Sequence, residues 1–99
     1  MSVIVDLSLF PLDKGGSGLG RYVARTEAIL KDSGLNYRLG PMGTAIEGEW
    51  DEVMHVIGQC YHALESDCDR IYVTIKADSR KGRTGGLAGK VASVRSHAD

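Results

Sequence analysis

The order in which two hydrophobic periodicities follow each other restricts the fold of this chain more than any other feature. Four segments have the alternation or the β-rich composition of strands, and two longer segments have the 3.6-residue period of helices. The predicted strands are Val3–Phe10, Asn36–Leu39, Thr44–Gly48 and Arg70–Asp78, and the predicted helices run from Ser17 to Ser33 and from Trp50 to Ser66. The order is therefore β-α-β-β-α-β.

Right-handed crossovers convert this order into a four-stranded antiparallel sheet with both helices on one face. This is the ferredoxin-like βαββαβ sandwich of the α+β class. We expect the apolar sides of the first and last strands to meet two helical stripes. The stripes are Leu19, Val23, Thr26 and Leu30 in the first helix, and Val53, Val56, Ile57, Cys60, Tyr61 and Leu64 in the second.

The opposite side of the predicted sheet has a mixed composition, too apolar to be idle and too polar to be core. It carries Ile4, Asp6, Ser8, Tyr72, Thr74 and Lys76. A mixed open face on a small sheet is typical of a surface that contacts a partner subunit, a ligand, or both.

Glycine and capping signals punctuate these segments. Ser17 is a plausible N-cap, Gly34 fits the end of the first helix, and the cluster from Gly40 to Gly43 predicts a hairpin turn. We expect a loop over Ser79–Gly89 and a short helix over Lys90–His97.

The length predicts a single domain, residues 1–99. The distribution of charge predicts a basic C-terminal tail from about residue 79. Residues 1–75 hold 6 Lys and Arg against 11 Asp and Glu, whereas residues 76–99 hold 6 against 2. A solvated tail or the association of oppositely charged surfaces accounts for this asymmetry, and an anion or nucleic-acid site is the alternative. The sequence has no signal-peptide or membrane-span pattern, so we expect a cytoplasmic protein with free Cys60 and Cys68 thiols; a Cys60–Cys68 disulfide is the less favoured alternative.

Several motifs resemble known sites without meeting their requirements. The glycines from Gly15 to Gly20 have the wrong spacing for a dinucleotide loop, and Gly85–Lys90 is too short for a phosphate loop. His55 and His62 lie two helical turns apart, which is wide for one metal ion. No aromatic base-stacking signature is present, so nucleic acid is an improbable partner. We expect no metal, no cofactor and no catalytic residues.

The segment YRLGPMGTAIEGEWDEV, from Tyr37 to Val53, is the most particular part of the chain. Together with Tyr22-Val23-Ala24 and Lys90–Val94, it resembles the thiamine-binding-protein family of small ferredoxin-like domains. The resemblance implies a βαββαβ domain that associates as a dimer or tetramer through its sheet. It also implies binding of thiamine or its pyrimidine moiety without a known reaction.

Thiamine combines a permanent thiazolium cation with a flat aminopyrimidine that has donor and acceptor edges. Its site needs a carboxylate, an aromatic or sulfur surface, and hydroxyl or backbone partners. We predict Asp6 and Glu47 as the charged contacts. The remaining predicted ligand-binding residues are Ser8, Tyr37, Thr44 and Tyr72, while Met42 and Trp50 could also cover a ring. For Tyr37, Met42 and Trp50, packing in the fold is the competing interpretation.

The leading hypothesis is a self-associating, non-enzymatic binder of thiamine or a related heterocycle that acts as a buffer, carrier or sensor. Its ligand would lie in a cleft formed by the open sheet face and a neighbouring chain. The alternative is an oligomeric regulatory or interaction module without a small-molecule ligand, in which subunit contacts consume that face. A third hypothesis is an enzyme that uses Asp6 or Glu47 as acid or base.

Overall fold

The computed structural model describes residues 1–15, 18–82 and residue 87. Its elements are β1 (Ser2–Pro11), α1 (Leu19–Ser33), β2 (Asn36–Leu39), β3 (Thr44–Glu49), α2 (Trp50–Glu65) and β4 (Ile71–Arg80). All strand pairs are antiparallel, and the sheet order is β2-β3-β1-β4. The ferredoxin-like prediction is therefore confirmed. The predicted helix over Lys90–His97 lies outside the described residues.

The central strand β1 forms the floor of the core. Val3, Val5 and Leu7 are at most 2% exposed, and they pack in one cluster with Leu30 of α1 and Val53 of α2. Because both helices contact the same alternate residues of β1, both lie on one face of the sheet, as predicted. We call this the helix face, and the opposite side is the open face.

The buried stripe of α1 differs from the prediction at two positions, since Leu19 is only half-buried and Tyr22 replaces Val23. Tyr22, Thr26 and Leu30 are buried at four-residue spacing, whereas Val23 is 41% exposed. Tyr22 takes the inner place because its ring packs against Leu64 and Cys68 in a second small cluster at the start of the helix. The N-cap is Gly18 in the left-handed region, and the predicted cap, Ser17, lies outside the described residues.

The stripe of α2 largely follows the prediction. Val53, Val56, Ile57, Cys60 and Leu64 are buried, whereas Tyr61 is only half-buried. Both cysteines are free, and burial raises the pKa of the Cys60 thiol to about 11. In the described part of the chain, neither helix has the length and the apolar character that crossing a lipid bilayer requires.

The outer strand β4 is longer than predicted and less well covered. Ser79 and Arg80, expected in a loop, continue its pairing with β1. Val73 and Ile75 lie on the helix face but are 38% and 44% exposed, so the expected contact with the helical stripes is wrong for these two side chains. The reason is the position of the helix layer, since α1 and α2 pack mainly on β1 and β3.

An ion pair ties α1 to the chain that follows α2. The guanidinium of Arg25 donates to the Asp67 carboxylate at 3.1 Å and to the carbonyl oxygen of Ala63 at 2.9 Å. The hydrogen bond from Arg25 lowers the pKa of Asp67 below its ordinary value of 3.8.

We expect Asp67→Asn to lower Tm at pH 7 because it removes the ion pair with Arg25. The loss should be only a few degrees, because the pair is partly exposed to solvent. A carboxyl with a depressed pKa stabilises the fold above its unfolded pKa, and that contribution is lost as the pH falls through the folded pKa. The difference in Tm from the wild type should therefore shrink below about pH 4 in thermal unfolding monitored by circular dichroism. Asp69→Asn, two residues away, is the control, and a pH-independent Asp67→Asn difference would contradict the assignment.

Candidate ligand-binding site

The strand register divides the six predicted ligand-binding residues between the two faces of the sheet. Asp6, Ser8, Glu47 and Tyr72 lie on the open face, since Asp6 pairs with Ala45 and Lys76, and Phe10 pairs with Tyr72. Tyr37 and Thr44 lie on the helix face, opposite Ile46 and Leu7. The structure therefore does not gather the predicted residues around one point.

The open face carries an aromatic pair, Phe10 of β1 with Tyr72 of β4, and the carboxylate of Asp6. The rings of Phe10 and Tyr72 stack with centroids 5.5 Å apart and an interplanar angle of 23°. Asp6 is exposed, and its Oδ1 lies so near the Gly43 backbone that a Cβ there would come within 2.9 Å. A Cβ at residue 43 would displace this carboxylate and would come within 3.1 Å of the Leu7 carbonyl oxygen, so glycine eases the close approach of the turn to β1.

Glu47 is engaged by the chain itself. Its carboxylate accepts hydrogen bonds from Asn36 Nδ2 at 2.7 Å and from the backbone N–H of Leu87 at 3.0 Å. Leu87 is only 8% exposed. The open face around Glu47 is thus covered by a residue that follows β4, which the sequence did not lead us to expect. Asp6 is the more accessible of the two predicted carboxylates.

A cleft lies beside β1, beyond Thr44, the first residue of β3. The pairing of β1 with β3 stops at Leu7 and Thr44, whereas its pairing with β4 continues to Pro11. The resulting gap has a volume of about 220 Å³. We call it the β1 cleft. Its lining residues are Leu7, Ser8, Leu9, Phe10, Leu19, Val23, Thr26, Glu27, Leu39, Gly40, Pro41, Met42, Gly43 and Thr44.

The walls of the β1 cleft are largely apolar. Leu19 and Val23 contribute from α1, and Leu39 and Met42 from the hairpin. Met42 is 88% exposed, so its interpretation as a filler of a core gap is wrong. Tyr37 does not line the cleft and packs against the main core instead.

Thr44 supplies the cleft with a buried hydroxyl that has no hydrogen-bond partner among the described residues. The residue is 8% exposed, and its Oγ1 forms no hydrogen bond within the part of the chain that the structure describes. By contrast, the Thr26 hydroxyl in the same cleft donates to the carbonyl oxygen of Tyr22 at 3.1 Å. Buried polar groups nearly always have a partner, so an exception points to a bound water or ligand.

The sequence did not identify Glu27 as a candidate. This half-buried carboxylate lines the β1 cleft from α1, one residue after Thr26. Its position follows from the helical stripe, because residue 27 borders the buried line through Tyr22, Thr26 and Leu30. A prediction that placed the buried stripe of α1 on Tyr22, Thr26 and Leu30 would have identified Glu27 as a residue at its border.

A second, wider groove of about 770 Å³ lies between α1 and α2. It is lined by Ile29, Asp32, Ser33, Leu35, Glu52, His55, Val56 and Gln59. None of the predicted ligand-binding residues contributes to it. The described residues contain no cluster of three or more His, Cys, Asp or Glu side chains that could hold a metal ion.

We expect Thr44→Val to leave Tm unchanged or to raise it slightly, because the substitution removes a buried hydroxyl that has no hydrogen bond to lose. Thr26→Val is the matched control, and it should lower Tm because it removes a hydroxyl that is hydrogen-bonded to the backbone. Differential scanning calorimetry measures both. A larger loss of stability in Thr44→Val than in Thr26→Val would show that the Thr44 hydroxyl is already paired.

The geometry defines a class of protein: a small ferredoxin-like domain with a ring-sized cleft at the end of its sheet. Its sequence matches the thiamine-binding protein family over residues 5–95, and the chain belongs to that family. This confirms the resemblance seen in the sequence.

Relatives support the assignment across nearly the whole chain. A UPF0045 protein of Mycobacterium bovis is 39% identical over 95 residues, which cover 95% of this chain and 92% of that protein. A UPF0045 protein of Synechocystis is 38% identical, with coverage of 95% and 78%.

Solved structures show the same fold. The crystal structure of the hypothetical protein MJ1052 from Methanocaldococcus jannaschii superimposes with a TM-score of 0.85 at 27% identity, covering 94% of this chain and 95% of that one. A Thermotoga maritima protein, provisionally assigned to thiamine biosynthesis or salvage, superimposes with a TM-score of 0.81 at 24% identity, covering 95% and 99%.

Proposed function

We propose that this protein binds thiamine, or a heterocycle with the same aminopyrimidine and cationic groups, without converting it. The observation that carries the proposal is the buried, unpaired hydroxyl of Thr44 in a cleft of ring size. The family's description as thiamine-binding proteins and the provisional role of the Thermotoga maritima relative support the same ligand class.

The size of the β1 cleft suits one ring of thiamine rather than the whole molecule. Pockets for drug-sized ligands have volumes of about 300–1,000 Å³, and this cleft holds about 220 Å³. One ring would enter between α1 and the hairpin, and the second would lie outside the cleft. The Phe10–Tyr72 pair offers an aromatic surface beside the opening.

Two carboxylates support attraction of the cation. Glu27 lines the cleft, and Asp6, on the open face, lies near Gly43, which also lines the cleft. Asp6 is opposite Lys76 in the register, but the two side chains form no ion pair within the described residues. We favour Asp6 as the partner of the thiazolium because its carboxylate is exposed.

We favour binding over catalysis. The hydroxyls of Ser8, Thr26 and Thr44 would need a neighbouring base to act as nucleophiles, and Glu27 is the one lining side chain in the described part of the protein that could serve as such a base. We assign that carboxylate to attraction of the cation instead. The two histidines in the described ranges, His55 and His62, lie on α2, which does not line the cleft. A cytoplasmic buffer, carrier or sensor of thiamine is the corresponding role.

We expect thiamine to bind with a saturable heat in isothermal titration calorimetry, and Asp6→Asn to weaken this binding about tenfold. The reason is the loss of a charge-assisted contact to the cation. Asp32→Asn, on the far half of α1, removes an equal charge outside the cleft and should leave the affinity within about twofold.

No heat from a folded wild-type protein would overturn the proposal. Equal weakening in Asp6→Asn and Asp32→Asn would show that only overall charge matters. Appearance of a thiamine product during the titration would favour the enzyme hypothesis instead.

Self-association is the second part of the proposal, and the exposed outer strand supports it. β4 is a ten-residue edge strand with Val73 and Ile75 exposed on one side and Tyr72 on the other. Such an edge presents unpaired backbone groups and apolar side chains to another chain. The same feature favours the alternative of an interaction module, which would associate without binding thiamine.

We expect size-exclusion chromatography with light scattering to give a dimer or tetramer, and Ile75→Lys to shift it towards a monomer by placing a charge on the apolar edge. Leu12→Lys is the control, since Leu12 is equally exposed at 44% but lies outside β4. A wild-type monomer at micromolar concentration would contradict sheet-mediated assembly.

A further inference from the structure

Successive residues of β1 direct their backbone N–H and C=O groups alternately towards β3 and β4. Hydrogen bonds at the two ends of β1 identify which residues face which strand. The carbonyl oxygen of Met1 accepts a hydrogen bond from the Trp50 N–H at 3.0 Å, on the β3 side. The N–H of Leu12 donates to the Arg70 carbonyl oxygen at 2.8 Å, on the β4 side. In an antiparallel strand both polar groups of one residue point to the same side and alternate along the chain. Odd-numbered residues of β1 therefore face β3.

Because of this alternation, Leu9 directs both its backbone N–H and its backbone C=O towards the β1 cleft. Leu7 is the last odd residue with a partner on β3, and the next is Leu9. The Leu9 N–H and C=O point to the β3 side, beyond Thr44, where the pairing of β1 with β3 has stopped. Outside the strand ladders, no backbone hydrogen bond involves Leu9 within the described part of the chain. Pro11, the next odd residue, has no N–H to offer.

We propose that the backbone N–H and C=O of Leu9 form the recognition edge for the aminopyrimidine ring. This inference rests on the proposed function and names how the same site selects its ligand. The ring nitrogen accepts from the Leu9 N–H, and the adjacent amino group donates to the Leu9 carbonyl oxygen. The heterocycle thus takes the place of the missing β3 residue, which would have made the same two hydrogen bonds.

The rest of the cleft is complementary to a flat ring bound in this way. Leu9 and Thr44 both line it, so the unpaired Thr44 hydroxyl is available for a further polar atom of the ring. Leu19, Val23 and Leu39 contribute apolar surface that would cover the faces of the ring. An unpaired amide and carbonyl at a largely apolar site favour an occupant that supplies both an acceptor and a donor.

A polypeptide strand is a poorer occupant of this edge. The hairpin residues from Gly40 to Gly43 and the first half of α1 enclose the cleft, whose volume is about 220 Å³. That space accommodates a single ring, whereas a strand would need an open edge several residues long. The outer edges of this sheet are on β2 and β4, whereas Leu9 lies on the inner strand β1.

Amide hydrogen exchange measured by NMR on the ¹⁵N-labelled protein tests the inference directly. With thiamine in excess of its Kd, we expect exchange of the Leu9 N–H to slow by about tenfold or more. The Phe10 N–H, which points to β4, is already paired within the sheet and should change little. The aminopyrimidine portion of thiamine alone should protect Leu9, whereas the isolated thiazole portion should not.

A steric variant provides an independent measurement. Val23→Trp places a large ring at the exposed wall of the cleft and should weaken thiamine binding by more than about tenfold. Ala28→Trp, on an exposed position of the same helix outside the cleft, should leave binding within about twofold. Circular dichroism verifies that both variants fold.

The outcomes separate the two proposals. Saturable thiamine binding with unchanged Leu9 exchange, or with equal affinity in both Trp variants, overturns the Leu9 inference and leaves thiamine binding intact. Absence of any chemical-shift change on addition of thiamine overturns the proposed function itself. Protection of Leu9 by the thiazole portion alone would assign the cleft to the other ring.

Discussion

The structure depends on the burial of one side of β1 beneath both helices. Val3, Val5 and Leu7 lose nearly all their exposure there, and each such side chain contributes roughly 1.5–3 kcal/mol relative to an exposed state. These contacts align β1 with α1 and α2, and they leave its polar side chains on the open face. The candidate site is a consequence of this arrangement, because β1 continues beyond the point where β3 begins at Thr44.

The order of strand and helix periodicities was sufficient to predict the fold, and alternation along the strands was sufficient to predict the composition of the open face. Asp6, Ser8 and Tyr72 lie where the period-two pattern assigns them. The candidate site was less predictable, because it was assembled from side-chain chemistry across both faces. Thr44 and Tyr37 share the helix face, yet only Thr44 lines the cleft, because β3 begins at Thr44 whereas Tyr37 of β2 packs against the main core.

The sequence pattern could not predict the surroundings of Glu47 or the buried residues of α1, because both depend on contacts between segments that are distant in the sequence. Glu47 has the chemistry of a cation-binding residue, but the N–H of Leu87, forty positions away, occupies one of its oxygens. In α1, Tyr22 and Val23 are adjacent and both suit an apolar stripe. The choice between them depends on the space beside Leu64 and Cys68, which exists only after α2 has packed.

The two parts of the proposed site have different physical origins and different consequences for selectivity. In the proposed site, Asp6 would act through charge, so it would attract any cation and lose strength as salt increases. The Leu9 backbone would act through the direction of one donor and one acceptor, which a ring with another hydrogen-bonding pattern could not satisfy. Those groups belong to the main chain, so residue identity at position 9 carries no sign of them. What specifies them is the strand mismatch, set by a turn whose Gly43 has no Cβ to collide with Asp6 or with the carbonyl oxygen of Leu7. Selectivity in this domain would therefore reside in the length of a hairpin rather than in a conspicuous side chain.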